Sequence, residues 1–143
     1  MTDLGFDILH VDDDDIDRMA VRRALRDHGI NCNVVEAGDG LQALEVLFDH
    51  YAEPSKKPFV ILLDINMPRM GGLEFLDRIR KDTEHVRIKN AIVFVLTTSD
   101  APIDLERAYS QNIAGYVVKS NYESGINSFV KFLESYNEVV VFP

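Results

Sequence analysis

FVILL, Phe59–Leu63, is the stretch that most restricts the fold. Five apolar residues follow one another without polar alternation, and the run stops on Asp64. A strand with one wet face alternates; a strand with no polar position is buried on both faces, as in a parallel sheet. AIVFVLT, 91–97, has the same character. FDILHV (6–11), NVVEA (33–37) and AGYVVK (114–119) read as three further strands. Parallel neighbours cannot be joined by a hairpin, so each pair needs a crossover, usually helical. The intervening segments supply it. Residues 16–29 carry Ile16, Met19, Ala20, Ala24 and Leu25 near helical spacing, with Gly29 where a helix C′ residue would sit. Residues 38–51 read as a turn and helix, 72–82 and 103–112 as helices, and 121–136 as a helix with Ile126, Phe129, Val130 and Leu133 on one face. EPSKKP and TEHVRIKN read as polar connections. Five strands alternating with five helices predict an α/β fold, a doubly wound five-stranded parallel sheet. One domain is expected over residues 1–137, followed by a short apolar C-terminal arm over 138–143.

Charge narrows the partners. Fifteen basic against 24 acidic residues leave a net charge of −9. Such a chain has no general attraction for nucleic acid. RMAVRRALR reads as the solvated basic face of one helix. No apolar run approaches the roughly 18 residues of a membrane span, and the acidic N-terminus lacks the basic start of a signal peptide. Cys32 is the sole cysteine and can form no internal disulfide, which suits the cytoplasm. It reads as an unreactive thiol.

In a doubly wound sheet the functional crevice lies outside the carboxyl ends of the strands. After the first strand come Asp12, Asp13, Asp14 and Asp15; after the third, Asp64; after the fourth, Thr97, Thr98 and Ser99; the fifth ends on Lys119. Asp64 alone has four possible uses: holding a metal, attacking a substrate, capping a turn or carrying a group. Together, Asp12, Asp13 and Asp64 would repel one another unless a counter-charge joined them. A divalent cation such as Mg²⁺ or Mn²⁺ fits, because Mg²⁺ takes one or two carboxylates and keeps room for water and a phosphate oxygen. Lys119 and Thr97 are the residue types that bind the other oxygens of a phosphoryl group. Asp64 is then a candidate nucleophile that forms an acyl phosphate. Asp14, Asp15 and Asp17 read as N-cap and first-turn acids favoured by the helix dipole. A calcium loop does not fit, since Asp17 and Arg23 stand where it requires Gly and Glu. His10 reads as a packed, neutral side chain.

ILHVDDDD, LLDINMPRMGG, VLTTSD and GYVVKS, in that order, resemble the response-regulator receiver domain of two-component signalling. The resemblance runs from about residue 6 to about residue 136 and implies a flavodoxin-like fold. It implies Asp64 as phosphoacceptor, Asp12 and Asp13 as the acidic metal pair, and the backbone carbonyl of Asn66 as a further metal ligand. It makes Thr97 the switch hydroxyl, Lys119 the conserved cation and Tyr116 the aromatic rotamer switch. The implied partner is a sensor histidine kinase, and the output is a protein contact with a downstream partner. Asn66 and Ser99, flanking the path of an attacking water, are expected to tune hydrolysis. Two positions depart from the family: Ser120 stands where Pro usually follows the lysine, and Gly71 where Asp is common. The organisation, the HYAEPSKKP loop and VRIKNAIVFVLTTSD resemble the stand-alone regulators that partner bacterial phytochromes, so a bacteriophytochrome is the expected kinase.

Two rival readings remain at this level. HVDDDDI also gives Asp12-x-Asp14 after a first strand, the nucleophile pair of haloacid-dehalogenase-like phosphatases. That reading leaves Asp64 without a role and lacks a further acidic pair at a strand end. A receiver-like scaffold that works without phosphorylation should lack an acceptor, a metal acid or the lysine, and none is missing. Val139, Val140, Val141 and Phe142 in the arm are apolar and β-prone. They are expected to dock on a second copy, making a homodimer.

Overall fold

A computed structural model describes residues 2–53, 56–119 and 122–143, with the backbone alone for 122–124. Ser120, and with it the Lys119–Ser120 peptide, lies outside the described residues. The elements are β1 (Thr2–Asp3), β2 (Asp7–Val11), α1 (Asp15–Asp27), β3 (Ile30–Asn31), β4 (Val34–Ala37), α2 (Gly40–Val46), β5 (Phe59–Leu63), α3 (Gly72–Arg80), α4 (Val86–Lys89), β6 (Ile92–Thr97), α5 (Pro102–Ser110), β7 (Gly115–Val118) and α6 (Tyr122–Val139). Five strands form one parallel sheet in the order β4-β2-β5-β6-β7. β1 and β3 add a separate two-stranded pair.

The uniform apolar strands are buried on both faces, as their composition requires. Their side chains alternate between two cores. Leu9, Val11, Ile61, Leu63, Val93 and Val95 face α2, α3, α4 and α5. Ile8, Val60, Leu62, Phe94 and Leu96 face α1 and α6. α6 buries Ile126, Phe129, Val130 and Leu133 there, the face its spacing predicts. Strand order reverses between β4-β2 and β5-β6-β7. Asp12 and Asp64 follow the neighbouring strands β2 and β5, so they meet at that switch point.

Four local features differ from the sequence reading. α1 buries Val21, Ala24 and Leu25, whereas Ile16 and Met19 are 74% and 47% exposed. Its inward stripe therefore runs through Asp17, Val21 and Ala24 at helical spacing. A sixth helix, α4, lies inside TEHVRIKN, which composition marks as a connection. Ile88 is fully buried, and the Arg87 guanidinium donates to the carbonyls of Glu53 and Lys57. Tertiary packing forms this turn where polar composition hides it. α2 continues as a π-helical turn over Leu47–Tyr51, from which the Tyr51 hydroxyl donates to Asp7 Oδ2 at 2.8 Å. Finally, α6 runs three residues past Tyr136, so Val139 belongs to the helix and not to the arm. Phe142, expected on a second copy, lies against Phe6 of its own domain, ring centroids 5.2 Å apart. Burial within the chain removes the aromatic from water without the entropy loss of association.

Gly29 has φ of 66° and closes α1 as expected. Gly72 is required for a different reason. A Cβ there would stand 2.2 Å from the Asp64 carbonyl oxygen and 2.9 Å from Ile65 Cα. Both contacts are backbone, so neither can rotate away. Gly72→Ala is expected to lower unfolding free energy by about 1–3 kcal/mol in a urea titration. It should also displace the segment that carries Asp64. A variant as stable as the wild type would contradict this close approach.

Candidate functional site: an acidic rim with a buried lysine

The site is assembled from strand ends. β2 delivers Asp12, fully buried, with Asp13 exposed beside it. β5 delivers Asp64, 8% exposed, with its Oδ1 accepting from the Ile65 amide at 2.8 Å. Carboxylate oxygens of Asp12, Asp13 and Asp64 all lie within 4.8 Å of one another. β6 ends on Thr97, fully buried, whose hydroxyl accepts from the Ser99 amide at 3.3 Å. After β7 comes Lys119, its side chain 4% exposed. Its ammonium donates to Asp12 Oδ2 at 2.5 Å and lies 3.8 Å from Asp64 Oδ2. Asp12, Asp13, Asp64 and Lys119 therefore meet in one crevice, and Thr97 ends β6, the strand beside β5.

Electrostatics follow from burial and from this lysine. Burial pushes the Asp12 carboxyl up to about 6, against the Lys119 bond and the Asp14 amide, which pull it down. Burial by itself would lower the Lys119 ammonium; bonds to Asp12 and Asp17 and the charge of Asp64 override it and hold it above its ordinary value. His10, beneath Asp12 in β2, is held down to about 3 by burial first and then by the charges of Lys119, Arg18 and Arg22. It is a packed, neutral histidine at neutral pH, as expected.

The donor set fits a small divalent cation. Three carboxylates converge with the Lys119 ammonium against them among the described residues, and hard oxygen ligands suit Mg²⁺ or Mn²⁺. Asn66, exposed, follows Asp64 by two residues on the β5–α3 loop. That loop is fastened to the start of α2. Arg69, at φ 62°, donates through Nε to Asp39 Oδ2 at 2.7 Å, and the Gly40 amide donates to the Met70 carbonyl at 3.0 Å. Asp39 in turn caps α2 by accepting from the Gln42 amide. A strained backbone held by an ion pair and a cap fixes the loop beside the acceptor.

The remaining residues divide. The Tyr116 hydroxyl donates to the Ser99 carbonyl at 2.9 Å, tying β7 to the β6–α5 loop. The Ser99 hydroxyl donates to Asp104 at 2.6 Å, towards α5. Asp14 caps α1 through the Ile16 amide, and Asp15 pairs with Arg18. A nucleophilic Asp12 does not fit this geometry. Its carboxylate is fully buried and accepts from Lys119 and from the Asp14 amide. Two partners escaped the sequence reading. The Arg18 guanidinium donates to the Asp12 carbonyl, and Asp17 accepts from Lys119 at 2.7 Å. The inward stripe Asp17-Val21-Ala24 is the signal that would have found Asp17.

Residues 8–131 match the response regulator receiver domain family. The chain is 33% identical over 130 residues to the response regulator Rcp1 of Synechocystis, covering 90% of this chain and 86% of that protein. It is 37% identical over 113 residues to the chemotaxis protein CheY-3 of Vibrio cholerae, covering 78% of each. Among solved structures, the phosphorylated cyanobacterial phytochrome response regulator RcpA superposes with a TM-score of 0.80 at 30% identity, over 96% of this chain and 98% of that one. The Mn²⁺-bound form of Rcp1 gives 0.75 at 31% identity, over 95% and 97%. The sheet order, the acidic rim and the buried lysine thus have a common explanation: the chain belongs to the response regulator receiver domain family of two-component signalling, a family of switches, generally not enzymes, that bind divalent metal.

Proposed function

We propose that Asp64 accepts a phosphoryl group from the phosphohistidine of a sensor histidine kinase. An Asp64 oxygen attacks phosphorus, the P–N bond breaks, and the histidine nitrogen keeps the electron pair. The observation that carries this is the meeting of Asp12, Asp13, Asp64 and Lys119 at the switch point. Mg²⁺ or Mn²⁺, held by Asp12, Asp13, Asp64 and the Asn66 carbonyl, would neutralise charge on the transferring group. Lys119 binds a phosphoryl oxygen, and Thr97 turns its hydroxyl to another. The Tyr116 ring then moves into the space Thr97 leaves, giving up its bond to the Ser99 carbonyl. That repacks α5, β7 and α6, the output face that meets a downstream protein. Asn66 and Ser99 flank the approach of water and set how long the acyl phosphate lasts before slow self-hydrolysis.

Incubation with acetyl phosphate and Mg²⁺ is expected to add one phosphoryl group, and excess EDTA to abolish the gain. Asp12→Asn and Asp13→Asn should each weaken Mn²⁺ binding about tenfold or more, the factor that ~1.4 kcal/mol represents. Unchanged binding in both would remove the metal from the account.

The kinase is read as a bacteriophytochrome, because the relatives include the phytochrome response regulator RcpA and a bacteriophytochrome response regulator. The setting is read as cytoplasmic, in keeping with a lone thiol at Cys32. Among the described residues no helix is long and apolar enough to cross a membrane. The net charge of −9 gives no support to a nucleic-acid partner. We further propose a homodimer through the end of α6 and the arm. Val139 and Val141 are 81% and 93% exposed, and Val140 and Phe142 lie between and beyond them. Exchange of arms would move Phe142 from its own Phe6 to the same place on a second copy. Deleting residues 139–143 should convert a dimer to a monomer in sizing experiments, and an unchanged mass would rule the arm out.

A further inference from the structure

Lys119 is shared. Its ammonium donates to Asp12 at 2.5 Å and to Asp17 at 2.7 Å, while Asp64 stands off at 3.8 Å. An ammonium has three donors, and two of them are engaged by these carboxylates. Asp17 is a fourth acid at the rim and is not one of the three clustered for a metal. It reaches the lysine because it heads the buried stripe of α1, with Val21 and Ala24 below it. Its side chain is 20% exposed, so the pair is only partly wetted.

We propose that Asp17 is a positioning residue that competes with a loaded Asp64 for Lys119 and so limits the stability of the phosphorylated state. This rests on Asp64 being the phosphoacceptor. A phosphoryl group brings about −1.5 to −2 charge and three acceptor oxygens to Asp64. Lys119 can serve that group fully only by giving up part of its hold on Asp17. The Asp17 carboxylate then faces the new anion with less of its charge offset by Lys119. Both effects act in one direction: they disfavour the loaded form. Through Asp17 the same exchange reports loading to the first turn of α1, on the opposite side of the sheet from α5.

The test is titration of the Mg²⁺-loaded protein with beryllofluoride, a tetrahedral mimic that adds to a carboxylate as a phosphoryl group does. Asp17→Asn keeps the side-chain shape and removes the charge. It should bind beryllofluoride about tenfold more tightly than wild type, the factor expected for one charge-assisted hydrogen bond removed from competition. Asp17→Glu, which keeps the carboxylate, should return to within about twofold of wild type. The gain should survive about 1 M salt, where screening over about 3 Å leaves contact pairs and erases distant ones. Unchanged or weaker binding by Asp17→Asn would overturn the proposal. So would a gain that vanishes at high salt, which would make Asp17 a distant charge only. A lower melting temperature with unchanged affinity would show a purely structural role and overturn it as well. If wild type and Asp64→Asn bind the mimic alike, the phosphoacceptor reading itself fails and this proposal falls with it.

Discussion

Lys119→Met is expected to cost about 3–5 kcal/mol of unfolding free energy in alkaline metal-free buffer, where Asp12 must stay ionised, because it breaks a buried ion pair from one side. The lysine is 4% exposed and holds Asp12, which is fully buried. Methionine fills similar space but supplies no charge. Asp12 would then keep its burial penalty without its strongest counterweight, and it is already pushed up to about 6. The sign of the pH dependence follows. The pair works only while Asp12 is ionised. Without Lys119 the Asp12 carboxyl of the variant rises further still, so the difference should be full only above that higher value, shrink as pH falls below it, and be largely gone by about 6, where wild-type Asp12 also protonates. Mg²⁺ should restore more stability to the variant than to the wild type, because a cation at the rim replaces the missing charge. Urea titrations at two pH values, with EDTA or Mg²⁺, measure all three effects. A loss under about 1 kcal/mol would place the pair among those that contribute little.

The sheet was legible because burial on both faces leaves a mark on composition. FVILL and AIVFVL have no polar position, and β5 and β6 are interior strands of the sheet. The rim was legible for a topological reason. In a parallel sheet every strand ends at the same edge, so residues far apart in sequence had to converge. Asp12 and Lys119, 107 positions apart, are in contact.

What was not legible depends on rotation or on tertiary partners. On α1, apolar spacing alone favoured a face through Ile16 and Met19; the true face is set by Val21, Ala24 and Leu25 against β2. The two faces differ by about one residue's rotation, roughly 100°. That slip hid Asp17. α4 was hidden because Arg87, a charged residue, is buried by two carbonyls that no local pattern announces. Phe142 could have gone to its own domain or to another; β-propensity says only that it leaves water. Two-residue β1 and β3 are too short for any periodicity to register.

Asp64→Asn is expected to abolish phosphoryl gain while leaving the fold intact. The amide keeps an oxygen that can accept from the Ile65 amide, a bond of 2.8 Å in the wild type, so the turn after β5 survives. It also removes one of three clustered negative charges, so stability should stay equal or rise by up to about 1 kcal/mol in metal-free buffer. What is lost is the second oxygen nucleophile and the charge that drives attack on phosphorus. Loss of activity with retained stability distinguishes an acceptor from a structural turn former. Nucleophilic attack by Asp12 would leave the gain in place.

Intact-protein mass after incubation with acetyl phosphate and Mg²⁺, for wild type and Asp64→Asn side by side, tests the central claim most directly. One added phosphoryl group on the wild type, absent from Asp64→Asn and absent with EDTA, is the predicted result. An equal gain in Asp64→Asn would contradict it and move the chemistry to another residue. No gain on the wild type, from acetyl phosphate or from a phosphorylated histidine kinase, would contradict it too and leave a receiver fold that signals without phosphorylation.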